Sequence, residues 1–253
     1  MKIIWLTDLH FNLRQPVQGI NTAACLDASL RHICEHYSDA DLCVLSGDLV
    51  DQEKPEDYAA LRSRLDTLPM PWFPLPGNHD NRRMLRQSLV LPEDSMQGFI
   101  QYVVRTPTHD LICLDTLREG YTGGEICDER LEWLVAQITV AADKPVCLFM
   151  HHPPMTLDLP LQDQDSFYDR EKFLSLLTAY SNVKYIFAGH VHRAVCGQVG
   201  GIGYCTMRSL SIQAPPPLPA WTWDSFTAAS EAPNYGVVTL RKDTVNIQFI
   251  EYG

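Results

Sequence analysis

Short, unbroken apolar runs alternate along this chain with segments whose apolar residues recur at helical spacing. Residues 2–7 (Lys-Ile-Ile-Trp-Leu-Thr) predict a buried strand, and residues 21–37 predict a helix with Ala24, Leu26, Leu30, Ile33 and Cys34 on one side. A second strand is expected at 42–45. Pro55, a favourable first-turn residue, opens a helix through Tyr58, Leu61 and Leu65; a third strand follows at 72–75 and a short helix from Arg82. Strands at 99–104 and 111–115 lead to a helix with Asp128 near its cap and Leu131, Trp133, Leu134 and Ile138 behind it. Strands at 146–150 and 185–188 bracket a helix from about Arg170 to Tyr180, and the remainder is β-rich, at 194–199, 203–207, 235–240 and 244–250.

This order predicts an α/β fold, a four-layer αββα sandwich in which a mixed β-sandwich is flanked by helices. Strand-helix-strand units come first, and the β-rich stretch from about 194 to 253 completes the sandwich with antiparallel strands. A length of 253 residues, 45% of them hydrophobic, supports one substantial core and is read as a single domain over 1–253. The one biased segment, Ala214-Pro215-Pro216-Pro217-Leu218-Pro219 with Trp221 and Trp223 after it, reads as an extended loop, either lining a pocket or an oligomer contact or simply exposed.

The formal net charge of −11 gives an acidic surface, which disfavours nucleic acid polymers and anionic lipid and favours small substrates. The apolar run after Met1-Lys2 is too short for a signal peptide, and no stretch approaches the roughly 20 residues needed to cross a bilayer, so no membrane insertion is expected. Eight cysteines lie singly in apolar segments without a Cys-x-x-Cys pair. They read as reduced, mostly buried residues of a cytoplasmic protein.

Candidate chemistry sits where the apolar runs end. Asp8 and His10, Asp48, Asn78 with His79 and Asp80, His151 with His152, and His190 with His192 each follow a predicted strand, and sites in open α/β sheets gather beyond the carboxyl ends of strands. If the strand persists, residues two apart point to the same side, so Asp8/His10 and His190/His192 could clamp one cluster. Carboxylate, imidazole and amide oxygen suit Mn, Fe, Co or Zn. Any one of these residues alone is more simply structural. Asp51, Glu53, Glu56 and Asp57 read as a solvated face near a helix start, and Trp5, Trp72 and Trp133 as core.

The ordered series from Asp8 to His192, with Gly77-Asn78-His79-Asp80 and Phe149-Met150-His151-His152-Pro153-Pro154, resembles the calcineurin-like metallophosphoesterases, and within them the bacterial class III cyclic-nucleotide phosphodiesterases and glycerophosphodiesterases. The resemblance implies two divalent or trivalent ions per chain: one held by Asp8, His10 and His192, another by Asn78, His151 and His190, with Asp48 shared. It implies attack on a small phosphodiester by a hydroxide bridging the ions, with His79 facing the substrate and Asp80 orienting its imidazole; His152 is left structural. Two divalent ions against Asp8, Asp48 and the hydroxide leave roughly one positive charge for the diester. Asn12, in the loop 11–20, is a candidate substrate contact beside Asn78 and His79, and the segment near Trp221 another. A homo-oligomer is compatible with the sequence.

Three rival readings share the fold. A phosphoprotein phosphatase is disfavoured because Asp51 is followed by Gln52-Glu53 and the third motif ends in Asp80 rather than Glu. A nuclease lacks a basic run to follow a backbone. A non-catalytic scaffold would have lost ligands, whereas every ligand position here is filled.

Overall fold

The computed structural model describes residues 1–165, 167–218, 221–225 and 227–252. Among these residues, eleven strands form two mixed sheets flanked by helices. The first sheet contains β1 (Lys2–Leu6), β2 (Leu42–Ser46), β3 (Trp72–Leu75), β10 (Asn234–Arg241) and β11 (Thr244–Glu251), in the order β11-β10-β1-β2-β3. The second contains β4 (Tyr102–Arg105), β5 (Asp110–Cys113), β6 (Val146–Met150), β7 (Val183–Ala188), β8 (Cys196–Val199) and β9 (Ile202–Thr206), in the order β4-β5-β6-β7-β9-β8.

Strand β6 shows why its run is apolar without interruption. Cys147 and Phe149 join the core shared with the first sheet, whereas Val146, Leu148 and Met150 face the core built with the helices α4 (Asp128–Ala141) and α5 (Arg170–Thr178). Both faces are covered, so neither can be polar. Trp5 of β1 closes the seam between the sheets: its ring meets Phe187 edge-on at 5.3 Å and Phe149 at 6.4 Å, and its Nε1 donates to Ser46 Oγ at 2.8 Å. That bond satisfies the one polar atom of a fully buried indole.

Helices α1 (Thr22–His36) and α2 (Pro55–Leu65) add Leu26, Leu30, Ile33, Tyr58, Leu61 and Leu65 to the first core. Asn21 caps α1 by accepting from Ala24 N at 3.0 Å, and Asn81 caps the short α3 (Arg82–Ser88) from Met84 N at 3.1 Å.

The β-rich C-terminal part serves both sheets. β10 and β11 extend the first antiparallel to β1, while β9 runs parallel to β7 rather than antiparallel as expected. β4 begins at Tyr102, not Phe99, because Ile100 N is taken by the Asp115 carboxylate at 2.8 Å instead of a neighbouring strand. The reduced state expected of all eight cysteines is also corrected. Cys196 and Cys205 lie opposite each other across β8 and β9, with Cα atoms 4.2 Å apart, and form a disulfide; the other six are free thiols. Of the proline-rich segment, Pro219 lies outside the described residues.

Candidate metal centre

β1, β2 and β3 are parallel neighbours in one sheet, as are β6 and β7 in the other, so the loops that follow them emerge at one edge of each. Past β1 and β2 the two chains stay zipped: Asp8 N donates to Gly47 O (3.0 Å), His10 N to Asp48 O (2.9 Å) and Phe11 N to Leu49 O (3.1 Å). This places Asp8 and His10 beside Asp48. Gly189 N donating to His151 O at 2.9 Å does the same for the loops after β6 and β7.

Convergence of Asp8 with His10, and of His190 with His192, does not come from strand pleating as expected. β1 ends at Leu6 and β7 at Ala188, and all four residues have left-handed backbones, at φ of 51°, 43°, 71° and 50°. Asp48 is also left-handed, at 48°. L-residues adopt this region at some cost, and its concentration here marks a strained, specified site. The preceding glycines fit the same picture. A Cβ at Gly47 would strike the His151 ring, at Gly77 the Asp48 carboxylate, and at Gly189 the side chains of Thr7 and Asp8.

The imidazoles are aimed by backbone carbonyls, which can only accept. His151 Nδ1 therefore donates to Ser46 O (2.8 Å) and His192 Nδ1 to Ile212 O (2.6 Å), turning both Nε2 atoms toward the carboxylates. His192 Nε2 lies 3.0 Å from His10 Nε2 and 3.4 Å from Asp8 Oδ1; His151 Nε2 lies 3.3 Å from Asp48 Oδ2. His190 Nδ1 approaches Asn78 Oδ1 at 3.0 Å. The buried His151 Nε2 has no hydrogen bond among the described residues. An unsatisfied buried nitrogen, paired imidazoles and carboxylates within 4.8 Å of one another (Asp8, His10, Asp48 and His192) are a donor set that a transition-metal ion would satisfy.

Charge within the cluster is sharply divided. Burial alone would raise both carboxyls, yet His192 and His151 hold Asp8 below its ordinary value, and His151 holds Asp48 well below it. Burial pushes His10 down to about 3 and His190 to about 4. For His151 burial is outweighed by Asp48 and Asp8, and its pKa is pushed up to about 9.

Residues 1–194 match the model of the calcineurin-like phosphoesterases. The chain belongs to this family. It is 30% identical over 252 residues to a probable cyclic nucleotide phosphodiesterase of Rhodopseudomonas palustris, covering 98% of this chain and 91% of that one. A 3′,5′-cyclic adenosine monophosphate phosphodiesterase of Escherichia coli is 25% identical, over 96% of this chain and 86% of its own. A glycerophosphodiester phosphodiesterase of Enterobacter lignolyticus is 30% identical, over 69% and 64%. Among solved structures, a dimetal phosphatase of Danio rerio superposes with a TM-score of 0.72 at 16% identity, covering 100% of this chain and 99% of that one, which shows the shared αββα fold.

Within that frame the other expected site residues take different places. His79 lines the cavity over the cluster, its ring edge-on to His10 at 4.7 Å between centroids, and its backbone N donates to Asp48 Oδ1 at 2.9 Å. The ring is oriented by the Asp51 carbonyl, which accepts from Nδ1 at 3.0 Å, and not by Asp80. The Asp80 carboxylate is buried and taken up by Leu49 N (3.0 Å), Gly77 N (2.9 Å), Val50 N (3.4 Å) and Tyr58 Oη (2.9 Å). It ties the Asp48 loop to the Asn78 loop. His152 bonds Thr116 Oγ1 at 2.8 Å and Thr122 O at 3.1 Å, and its ring also groups with those of His151 and His190 in a set that could hold a metal ion.

Asn12 is not a cavity residue. Its Oδ1 accepts from Arg14 N (3.1 Å) and Gln15 N (3.0 Å), folding the loop that presents Val17 and Gln18 to the cavity instead. Asp51, read as a solvated face, lies at the site, with Oδ1 3.9 Å from His10 Nδ1. Trp223 reaches the cavity, as the extended-loop reading allowed; Gln162 and Asp165 also line it and carry no motif by which sequence reasoning could find them.

Proposed function

We propose that the chain is a metal-dependent phosphodiesterase acting on small diesters, with His79 donating a proton to the departing alcohol. One observation carries the reading: the donor set opens into a cavity of about 710 Å³ whose remaining charged lining is acidic, Asp51 and Asp165. No Lys or Arg is among the described lining residues. A phosphomonoester dianion would meet this acidic rim with more repulsion than a diester monoanion. The relatives that act on cyclic nucleotides and glycerophosphodiesters support the same reading.

Asp8, His10 and His192 would hold one ion and Asn78, His151 and His190 the other, with Asp48 shared. Two such ions supply Lewis acidity toward phosphoryl oxygens and lower the pKa of water. The chain supplies the rest. The Ser46 and Ile212 carbonyls fix the His151 and His192 tautomers before any ligand arrives. With Nδ1 of His79 engaged by Asp51 O, Nε2 is the nitrogen left to meet substrate. Burial would depress this imidazole, but Asp48 and Asp51 hold it above its ordinary value, which favours the donor form. Such a group contributes roughly 10² to 10⁴-fold.

The test is a panel of 3′,5′- and 2′,3′-cyclic nucleotides, glycerophosphodiesters, phosphonate monoesters and phosphomonoesters. Each is assayed after chelation and after restoring Mn, Fe, Co or Zn. Diester turnover that vanishes with chelator and returns with metal supports the reading; turnover confined to phosphomonoesters sinks it.

A further inference from the structure

A second cavity, of about 590 Å³, is lined by Arg82, Arg83, Arg86, Gln87 and Glu119 among others, and shares no lining residue with the cavity over the donor set. Its charge runs against that of the chain. Acidic residues outnumber basic ones, 31 to 20, so an arginine at this surface commonly meets a carboxylate: Arg14 pairs with Glu56, Arg64 with Asp27 and Arg105 with Asp110. Arg83 and Arg86 are exposed and make no ion pair among the described residues. They stand three apart on α3, which has no acidic residue in its sequence, so two like charges are neighbours on one face. That juxtaposition costs stability.

The third arginine of the cavity is already committed. Arg82 binds the Asp115 carboxylate through Nε (2.7 Å) and Nη2 (2.9 Å), and Glu119 through Nη1 (3.1 Å). Arg86 is aimed but not neutralised: its Nη2 donates to the carbonyls of Met96 (3.0 Å) and Phe99 (2.7 Å), while Nε and Nη1 have no hydrogen bond among the described residues. Arg83 makes none at all, and neither does the amide of Gln87, one turn further along α3. Three guanidiniums against Asp115 and Glu119 leave a net positive charge, concentrated at Arg83 and Arg86.

We propose that Arg83 and Arg86 form a binding site, separate from the metal centre, for a tetrahedral dianion: the phosphate group of a phosphomonoester. Guanidinium groups meet phosphate oxygens in paired, charge-assisted hydrogen bonds, and an anion held between two of them removes their mutual repulsion. The cavity has room for an organic group beyond the phosphate. Hydrolysis of a phosphodiester yields a phosphomonoester, so the ligand belongs to the product's chemical class, which the acidic rim of the other cavity repels. Only this statement of where the ligand comes from rests on the phosphodiesterase reading.

The test is a calorimetric titration of inorganic phosphate, phenyl phosphate and acetate, at constant ionic strength in chloride, into protein stripped of metal and dialysed free of chelator. The wild type is expected to bind both phosphates, phenyl phosphate the more tightly, and acetate at least about tenfold more weakly. Arg83→Gln combined with Arg86→Gln should weaken phosphate binding about tenfold or more and leave turnover of bis(p-nitrophenyl) phosphate by the metal-reconstituted protein within about twofold. Without phosphate its melting temperature should stay level or rise, since a like-charge pair is relieved, whereas merely structural arginines would lower it. Glu119→Gln, which removes a negative charge from the cavity wall, should tighten phosphate binding. The same loss in the double variant is expected in the metal-reconstituted protein, where phosphate held by the ions is unaffected. Phosphate binding unchanged in the double variant, or no stronger than acetate in the wild type, would overturn the site; phenyl phosphate weaker than inorganic phosphate would overturn its assignment to a phosphomonoester. Failure of the diesterase reading shows instead in the turnover panel, which does not depend on this cavity.

Discussion

His10 and His192 face each other Nε2 to Nε2 at 3.0 Å, and the Nδ1 of His192 is already committed to Ile212 O. With that nitrogen donating, the short contact needs one proton between the two Nε2 atoms, on His10 as its Nε2–H tautomer or on a protonated His192. His151, pushed up to about 9 beside Asp48 and Asp8, carries a second proton at neutral pH.

Metal uptake must therefore expel protons. Calorimetry at pH 7 in buffers of different ionisation enthalpy should show proton release, and apparent affinity should rise with pH up to about 9. The stability of the chelated protein should move oppositely. A pKa raised in the folded state stabilises below the ordinary value of 6.5 and loses that contribution as pH climbs toward 9, so its melting temperature falls over this interval. Uptake without proton release would contradict the protonation described.

The two sites should fill unequally. In the proposed arrangement Asn78 would contribute a neutral oxygen where Asp8 would contribute a carboxylate, so a titration of the apo-protein should resolve a tight and a weaker step, and Asn78→Asp should draw them together. Two equally tight steps in the wild type would count against this.

Asp80→Ala should be among the most destabilising changes near the site. It strands the buried donors Leu49 N and Gly77 N and removes the partner of Tyr58 Oη, a loss of about 3 kcal/mol or more by denaturant unfolding. Tyr58→Phe, which removes the bond to Asp80 and the one accepted from Asn81 N, should cost less, about 1 to 2 kcal/mol. A small effect of Asp80→Ala would mean that the loops after β2 and β3 hold their shape without it.

The positions that converge were legible because each lies where a short apolar run stops, and a polar residue of the right chemistry at the end of a buried strand is a local signal. The layered fold was legible for the same reason, strands and helices alternating in the period of their apolar residues. What local pattern could not supply was partnership. Asp80 reads as a neighbour of His79, yet its carboxylate is claimed by backbone amides from two other loops. Asn12 reads as a substrate contact, yet its Oδ1 folds its own loop. The left-handed turns at Asp8 and His10 replace the strand that periodicity extends through them.

His79→Ala should keep both metal steps and lose roughly 10² to 10⁴-fold in kcat, with the loss smallest for p-nitrophenyl esters, whose leaving group needs little protonation. Metal loss in this variant would contradict the separation of His79 from the ligands.

The most direct measurement is kcat/KM of the metal-reconstituted protein for bis(p-nitrophenyl) phosphate against p-nitrophenyl phosphate, in parallel with a chelated control. The convergent donors and acidic rim predict metal-dependent turnover with the diester preferred by about tenfold or more, the factor that one fewer charge facing Asp51 and Asp165 supplies for about 1.4 kcal/mol. A preference for the monoester, or turnover indifferent to chelation, would contradict the account.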